Sequence, residues 1–271
     1  MRIRDFTGKN VFIVGGSSGI GLAAARQLAG RGAHITIFAR RLEVLQEAAT
    51  EIRSARVSSE QRIEYAQLDA ADPAHVQEVM RAAVSELEAP DLLINCAGRA
   101  QPSYFQSISH EQLGETLQQN LATCWNTIST LLPSMQEGGG YIVNTASLAG
   151  LIGVFGYTDY CAAKFAVVGF SEALRSELKR YDITVSVLCP PDTETPALAA
   201  ENETKPPETQ AISAGMRVLS ADAVATALLR GVGRGQFLIL PGASTRFGAA
   251  MKRFAPRLVE WVNDRAVARS S

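Results

Sequence analysis

The sequence Gly15-Gly16-Ser17-Ser18-Gly19-Ile20-Gly21 stands between an apolar run at residues 10–14 and a helical pattern at residues 19–30. Glycines at a strand-to-helix junction let the backbone approach a phosphate closely, and the free N–H groups of the first helical turn bind its charge. The spacing is G-x-x-x-G-x-G rather than the commoner G-x-G-x-x-G. We predict that the pyrophosphate of a dinucleotide is held by Gly15, Ser17, Ser18, Gly19, Ile20 and Gly21. The alternative is a tight turn that binds no ligand.

The rest of the chain alternates short apolar runs with helical patterns. Seven apolar runs predict strands at residues 10–14, 33–39, 62–68, 91–95, 140–146, 183–188 and 236–240. Six amphipathic patterns predict helices at residues 19–30, 42–54, 74–87, 111–132, 160–180 and 221–231. Strands that are apolar along their whole length are buried on both faces, as in a parallel sheet covered by helices on both sides. The pattern therefore predicts an α/β fold with a doubly wound, seven-stranded parallel sheet.

Length and composition limit the classes of protein that the chain can represent. The 271 residues, 46% hydrophobic and 20% charged, predict one globular domain over residues 1–271. A net charge of −1 argues against nucleic acid as a partner. The four cysteines are scattered without a C-x-x-C pair, so we predict neither a disulfide framework nor a metal site. The first residues lack the apolar core of a signal peptide, which predicts a cytoplasmic protein.

Residues after the next strands predict which nucleotide binds. The second strand is followed by Arg40 and Arg41 where an NAD-binding site would carry an acid, and a guanidinium binds a 2′-phosphate, so we predict NADPH. The alternative is that Arg40 only caps a helix. Asp69 is predicted to meet the adenine edge, although Asp69 or Asp72 could instead cap the next helix.

The fourth strand ends in Asn95-Cys96-Ala97-Gly98. Small residues there allow the adenosine half of a dinucleotide to pass close to the backbone. We therefore assign Asn95, Ala97 and Gly98 to the cofactor site. A second role for Asn95 remains open, in which its side chain only ties neighbouring strands together.

Tyr160 and Lys164 lie four residues apart at the start of a predicted helix, and so on one face. A free tyrosine has a pKa of about 10, and we predict that the ammonium group of Lys164 lowers the pKa of Tyr160 towards neutrality. This spacing alone is common on helix surfaces. Ser147 follows the fifth strand and Asn120 lies in the preceding helix, so these groups converge at the carboxyl edge of the sheet, where ligands bind.

Taken together, these segments resemble the motif set of the short-chain dehydrogenase/reductase family. The matching segments are residues 15–21, residues 95–98, Asn120, Ser147, Tyr160 and Lys164. The resemblance implies a Rossmann-like fold and hydride transfer between a nicotinamide cofactor and a carbonyl carbon. It further implies that Tyr160 is the general acid, that Ser147 holds the carbonyl and that Lys164 binds the nicotinamide ribose. Asn120 would hold a water that relays protons to Lys164.

Residues 190–220, here called the lid, carry five prolines and many Thr and Glu residues, which predicts a long functional loop. We assign Pro190 and Thr193, at its start, to the cofactor site. The segments P-P-D-T-E-T-P and E-N-E-T-K-P resemble the 3-ketodihydrosphingosine reductases. This resemblance implies NADPH-dependent reduction of 3-ketosphinganine, a long-chain keto-amine lipid, to sphinganine.

Other interpretations of the chain remain open at this stage. One is a reductase of another ketone, such as a 3-oxoacyl thioester, and another is a protein that binds NADPH without catalysis. Within the lid, Asp192, Glu194 or Glu201 would attract the 2-ammonium group of a sphingoid ketone, or these acids only solvate the surface.

Residues 245–266, here called the tail, mix apolar and basic residues in a helix-like stretch interrupted by Pro256. Such a stretch lies on a membrane surface, covers a lipid chain, or docks against another subunit. The corresponding expectations are peripheral contact with the inner face of a membrane and a homo-oligomer, the latter implied by the family resemblance.

Overall fold

The computed structural model describes residues 2–214 and 217–268. In chain order the strands are β1 (Asn10–Val14), β2 (His34–Ala39), β3 (Ile63–Gln67), β4 (Leu92–Asn95), β5 (Gly140–Thr145), β6 (Ile183–Leu188), β7 (Thr193–Glu194), β8 (Leu219–Ser220) and β9 (Leu238–Ile239). Seven of them form one parallel sheet in the order β3-β2-β1-β4-β5-β6-β9, while β7 pairs with β8. The strand order reverses direction between β1 and β4, as in a doubly wound Rossmann sheet. The predicted fold class is confirmed.

Eleven α-helices lie within the described ranges. They are α1 (Gly19–Ala29), α2 (Leu42–Ser54), α3 (Pro73–Leu87), α4 (His110–Leu117), α5 (Thr123–Gly138), α6 (Thr158–Leu178), α7 (Pro196–Thr204), α8 (Pro207–Ala214), α9 (Ala221–Arg234), α10 (Ala243–Phe254) and α11 (Pro256–Ala268). The predicted helix at residues 111–132 is wrong in its form. It consists of α4 and α5 joined by a π-helical turn, Gln118–Ala122, and α5 continues past Pro133 instead of ending before it.

The core lies on both faces of the sheet because neighbouring residues of each strand point to opposite sides. In β1, Val11 and Ile13 pack in the cluster formed with α1, α2 and α9, whereas Phe12 and Val14 pack in the cluster formed with α3, α5 and α6. All five residues of β1 are buried. This two-sided burial explains why the strands are apolar along their whole length.

The lid is not the long loop that the prolines predict. Its described residues form α7, α8 and the strand pair β7–β8, while Gly215 and Met216 of the predicted lid lie outside the described residues. Pro196 and Pro207 are the first residues of their helices, a position where a missing N–H costs nothing. Thr195 caps α7 by accepting a hydrogen bond from the Leu198 N–H at 3.2 Å.

The tail is helical and is interrupted as predicted, since α10 ends at Phe254 and α11 begins at Pro256. Helix α11 packs against α10 and against α8 of the lid. Several large apolar side chains remain exposed on the two helices, namely Phe247, Phe254, Leu258, Trp261 and Val262. Within residues 2–214 and 217–268, no helix is both long and apolar enough to span a bilayer.

Candidate active site

A cavity of about 940 Å³ opens at the carboxyl edge of the sheet, where the strand order reverses. The loop after β1, the ends of β2 and β3, the loops after β4 and β5, and the start of α6 form its floor and sides. The lid and α11 contribute the remaining walls. Of the residues predicted to bind the cofactor, those lining the cavity are Gly15, Ser17, Ser18, Gly19, Ile20, Gly21, Arg40, Arg41, Asp69, Ala97, Gly98, Tyr160, Lys164, Pro190 and Thr193.

The glycines of the first loop are required by its geometry. Gly15 has φ of 79°, and a Cβ at this position would lie 2.7 Å from the Ala97 backbone nitrogen. A Cβ on Gly21 would clash with the carbonyl oxygen of Gly15. Ser18 precedes α1 without a side-chain capping hydrogen bond, so its hydroxyl leaves the first N–H groups of the helix uncapped. This cradle therefore fits the pyrophosphate of a nicotinamide dinucleotide.

The adenosine end contains two cations and one acid. Arg40 and Arg41 follow β2, and no salt bridge within the described residues includes either guanidinium. Asp69 lines the cavity and accepts a hydrogen bond from the Ala71 N–H at 3.0 Å. The cap of α3 is Asp72, whose carboxylate accepts hydrogen bonds from the N–H groups of Ala74 and His75.

Asn95 is the exception within the predicted cofactor set. Its amide nitrogen donates to the side-chain oxygen of Asn144 at 2.9 Å, and its own oxygen accepts from the Thr127 hydroxyl at 2.9 Å. Asn144 in turn donates to Ser171 at 3.0 Å. Asn95 is buried and does not line the cavity. The assignment of Asn95 to the cofactor site is therefore corrected. Its side chain instead links β4 to β5 and, through Thr127 and Asn144, to α5 and α6.

Lys164 and Tyr160 face the cavity from the first turns of α6. The ammonium group of Lys164 donates to the Thr145 carbonyl oxygen at 2.9 Å and lies 5.5 Å from the centre of the Tyr160 ring. Ser147 follows β5, and its hydroxyl accepts from the Ala149 N–H at 3.1 Å. The hydroxyl groups of Tyr160 and Ser147 and the ammonium group of Lys164 therefore line the same cavity, as the sequence predicts.

The pKa of Tyr160 departs from the prediction. Burial raises the pKa of its phenol above the ordinary value and the charge of Glu201 adds to this, whereas the nearby Ser147 hydroxyl acts in the opposite direction. Burial also lowers the pKa of Lys164. The expected lowering of the Tyr160 pKa by Lys164 is wrong for this structure, because desolvation dominates the shift and raises the pKa. A raised pKa keeps the phenol protonated at neutral pH, which is the state a proton donor needs.

Asn120 lies in the π-helical turn and is fully buried. Its amide nitrogen donates to the carbonyl oxygens of Arg99 and Thr116, each at 2.9 Å, while its Oδ1 has no hydrogen-bond partner in the described part of the chain. A Cβ at Gly98 would lie 2.5 Å from that Oδ1 and 3.2 Å from the Lys164 Nζ. The two atoms therefore flank the same small space beside Gly98.

Sequence reasoning missed Tyr157. Its hydroxyl donates to Glu201 of α7 at 3.0 Å, and its ring centroid lies 5.7 Å from that of Tyr160. The signal in the sequence was the position of this aromatic residue three places before Tyr160. No group of His, Cys, Asp and Glu side chains within the described ranges is arranged to hold a metal ion.

Comparisons with known proteins agree with this geometry. The short chain dehydrogenase family matches residues 9–206. A 3-ketodihydrosphingosine reductase of Dictyostelium discoideum is 38% identical over 259 residues, which cover 90% of this chain and 78% of that protein. A 3-dehydrosphinganine reductase of Danio rerio is 36% identical over 232 residues, which cover 85% of this chain and 70% of that protein.

Solved structures share the fold. L-sorbose reductase from Gluconobacter frateurii, complexed with NADPH and L-sorbose, is 27% identical with a TM-score of 0.75, and the match covers 84% of this chain and 91% of that one. Levodione reductase, 23% identical over 89% of this chain and 99% of that one, has a TM-score of 0.81. With its glycine cradle and the convergent Ser147, Tyr160 and Lys164, this chain is an oxidoreductase with a nicotinamide cofactor site and belongs to the short-chain dehydrogenase family.

Proposed function

We propose that this protein reduces 3-ketosphinganine to sphinganine with NADPH, a step of sphingolipid synthesis. The observation that carries the proposal is the similarity to reductases named for this ketone, at 34–38% identity over 85–90% of the chain. The catalytic end of the cavity is consistent with it, because hydroxyl donors stand where a ketone oxygen would be reduced.

Each residue of the site has a separate role in the reduction of a ketone. NADPH supplies the hydride when it is bound. Ser147 and Tyr160 donate hydrogen bonds to the carbonyl oxygen, and Tyr160 gives its proton to the alkoxide as it forms. Lys164, held in place by the Thr145 carbonyl oxygen, binds the ribose hydroxyls on the nicotinamide side. Burial raises the pKa of the Tyr160 phenol, so the hydroxyl carries a proton that it can donate.

Asn120 lies behind these residues, buried beside Gly98 and Lys164. A buried carbonyl oxygen without a partner costs free energy unless a donor reaches it. The unpaired Oδ1 of Asn120, beside Gly98 and the Lys164 Nζ, supports a role in holding a water that returns a proton to Lys164.

The walls of the cavity suit a long alkyl chain. The apolar residues that line it include Leu148, Ile152, Val154, Leu198, Ile212 and Val259. They come from the loops beside Ser147, from both helices of the lid and from α11. A chain of methylene groups buried against such side chains gains about 0.8 kcal/mol for each CH₂.

Choice of NADPH follows from Arg40 and Arg41. Both line the cavity after β2, and neither forms a salt bridge within the described residues. Unpaired guanidinium groups are suited to a 2′-phosphate, which they bind through charge-assisted hydrogen bonds.

We further propose that the protein is cytoplasmic and docks peripherally on the inner face of a membrane through the tail. Phe254 and Trp261 are exposed on α10 and α11, with basic Arg253 and Arg265 beside their rings. Exposed aromatic and basic side chains together suit an anionic lipid surface. Val259 of α11 also lines the cavity, so docking would bring the cavity to the lipid. Assembly into a homo-oligomer, which the family resemblance implies, stays a prediction.

A ketone panel tests the proposed reaction. We expect NADPH oxidation with 3-ketosphinganine to be faster than with an acetoacetyl thioester, and Tyr160→Phe to lower kcat by at least about 100-fold while NADPH still binds, because only the proton donor is lost. Absorbance at the NADPH band measures turnover, and cofactor fluorescence measures binding. Tyr181→Phe, in the 3₁₀ turn before β6, is the matched control and should leave turnover unchanged. Faster turnover of the thioester would contradict 3-ketosphinganine as the substrate. Substantial activity of Tyr160→Phe would contradict the role of Tyr160 as proton donor.

Cofactor preference is tested at Arg40. Replacing this residue by alanine should raise the KM for NADPH by about 10-fold or more and leave that for NADH nearly unchanged, because only NADPH carries the 2′-phosphate. Steady-state kinetics with both cofactors give the two values. Arg56→Ala, an exposed arginine after α2, should change neither. Equal effects on both cofactors would exclude recognition of the phosphate.

Membrane docking is tested with anionic lipid vesicles. The double substitution Phe254→Ser and Trp261→Ser removes two exposed rings of the tail, so the fraction of protein that sediments with vesicles should fall several-fold. Trp125→Ser removes an exposed ring of α5 and should leave sedimentation unchanged. Unaltered sedimentation of the double variant would rule out the tail as the membrane contact. A change in oligomeric state instead, measured by light scattering, would assign the rings to a subunit interface.

A further inference from the structure

Glu201 brings a carboxylate into the catalytic cavity from helix α7 of the lid. One carboxylate oxygen accepts a hydrogen bond from the Tyr157 hydroxyl at 3.0 Å. Within the described residues, no lysine, arginine or histidine nitrogen lies close enough to Glu201 to form a salt bridge. A carboxylate has room for about four hydrogen bonds, so a single neutral donor leaves most of this capacity unused.

The other acids near the cavity are engaged or lie elsewhere. Asp192 forms a salt bridge with Lys205, whose Nζ lies 3.3 Å from the carboxylate and whose side chain is only 3% exposed. Glu194 is exposed and does not line the cavity. Asp69 follows β3 at the adenosine end and accepts from the Ala71 N–H. Of the three lid acids that the sequence leaves open, the contacts therefore single out Glu201.

Glu201 is also close to the reaction centre. Tyr157 joins it to Tyr160, because the Tyr157 hydroxyl bonds Glu201 and the Tyr157 ring packs 5.7 Å from the Tyr160 ring. The negative charge of Glu201 reaches far enough to raise the pKa of the Tyr160 phenol. A group that binds Glu201 would therefore share the cavity with a carbonyl held by Tyr160.

Partial burial makes this carboxylate costly to keep charged. Desolvation raises its pKa above the ordinary value, and the hydrogen bond from Tyr157 and the more distant charges of Lys205 and Lys164 offset only part of this rise. A buried charge is tolerated best when an opposite charge pairs with it. An ammonium group on the ligand would provide that charge and would also weaken the field that opposes ionisation of Tyr160.

We propose that Glu201, positioned by Tyr157, forms a subsite for an ammonium group on the carbon next to the ketone, so that the enzyme selects α-amino ketones. This inference rests on the proposed function, because 3-ketosphinganine carries its amino group on that carbon. In this arrangement a residue of the lid selects the substrate, whereas the residues that take part in the reaction lie on α6 and in the loop after β5.

Two substrates of equal chain length separate recognition of the ammonium group from the rest of binding. One is 3-ketosphinganine, and the other is the same hydroxy ketone without its 2-amino group. Glu201→Gln should lower kcat/KM for the amino ketone by about 10- to 100-fold, the range expected for a lost charge-assisted interaction, and should not lower the value for the deamino ketone, which has no ammonium group to lose a partner. Glu203→Gln, an exposed acid on the same helix, should leave both values unchanged.

The ratio of the two kcat/KM values is the informative readout, because a general loss of structure would lower both. An unchanged ratio in Glu201→Gln would overturn the subsite even if the wild-type enzyme reduces 3-ketosphinganine. Failure of the wild-type enzyme to reduce that ketone would instead overturn the proposed function. If Glu201→Gln does not fold, the ratio of kcat/KM for the two ketones in the wild-type enzyme tests the subsite. Equal kcat/KM values for both ketones would contradict selection for the ammonium group.

Discussion

Burial of the Lys164 ammonium group is the constraint on which the active site depends. Within the described residues this cation donates one hydrogen bond, to the Thr145 carbonyl oxygen, and desolvation lowers its pKa. Glycines make room for this residue, since a Cβ at Gly98 would lie 3.2 Å from the Lys164 Nζ and one at Gly150 would lie 2.7 Å from the Lys164 backbone carbonyl oxygen. A buried cation with unused donors favours ligands rich in oxygen acceptors. The ribose hydroxyls of a nicotinamide cofactor are such acceptors.

The cavity sets two opposite charges around one phenol. Lys164 lies below the Tyr160 ring, and Glu201 acts on the same phenol from the lid. Without a cationic ligand, burial and the charge of Glu201 raise the pKa of the Tyr160 phenol. An ammonium group bound at Glu201 would offset the contribution of that charge and so lower the pKa when the substrate binds. With an ammonium group at the proposed subsite, substrate recognition and proton donation would be coupled through electrostatics rather than through a direct contact between Glu201 and the reacting carbonyl.

Most of the fold could be predicted because each signal is local. The apolar run before Gly15 and the helical pattern after Gly19 predict β1 and α1 without knowledge of distant contacts, and the spacing of Tyr160 and Lys164 places both on one face. Asn95 was harder to assign, because its partners Asn144 and Thr127 are far away in the sequence.

Long-range packing also limited the other predictions. The prolines of the lid are typical of loops, but Pro196 and Pro207 begin helices whose stability depends on tertiary contacts. The pKa of Tyr160 depends on how deeply the lid and α6 bury it, a quantity that the spacing to Lys164 does not contain. Tyr157 acquires its role only because α7 folds back over the start of α6.

A crystal structure of the enzyme with NADP⁺ and sphinganine tests the central claim most directly. We expect the product hydroxyl to lie within about 3 Å of the hydroxyl groups of Ser147 and Tyr160, with the ammonium group on Glu201 and the alkyl chain along the lid and α11. A product whose hydroxyl binds away from Tyr160, or whose chain leaves the cavity elsewhere, would contradict it.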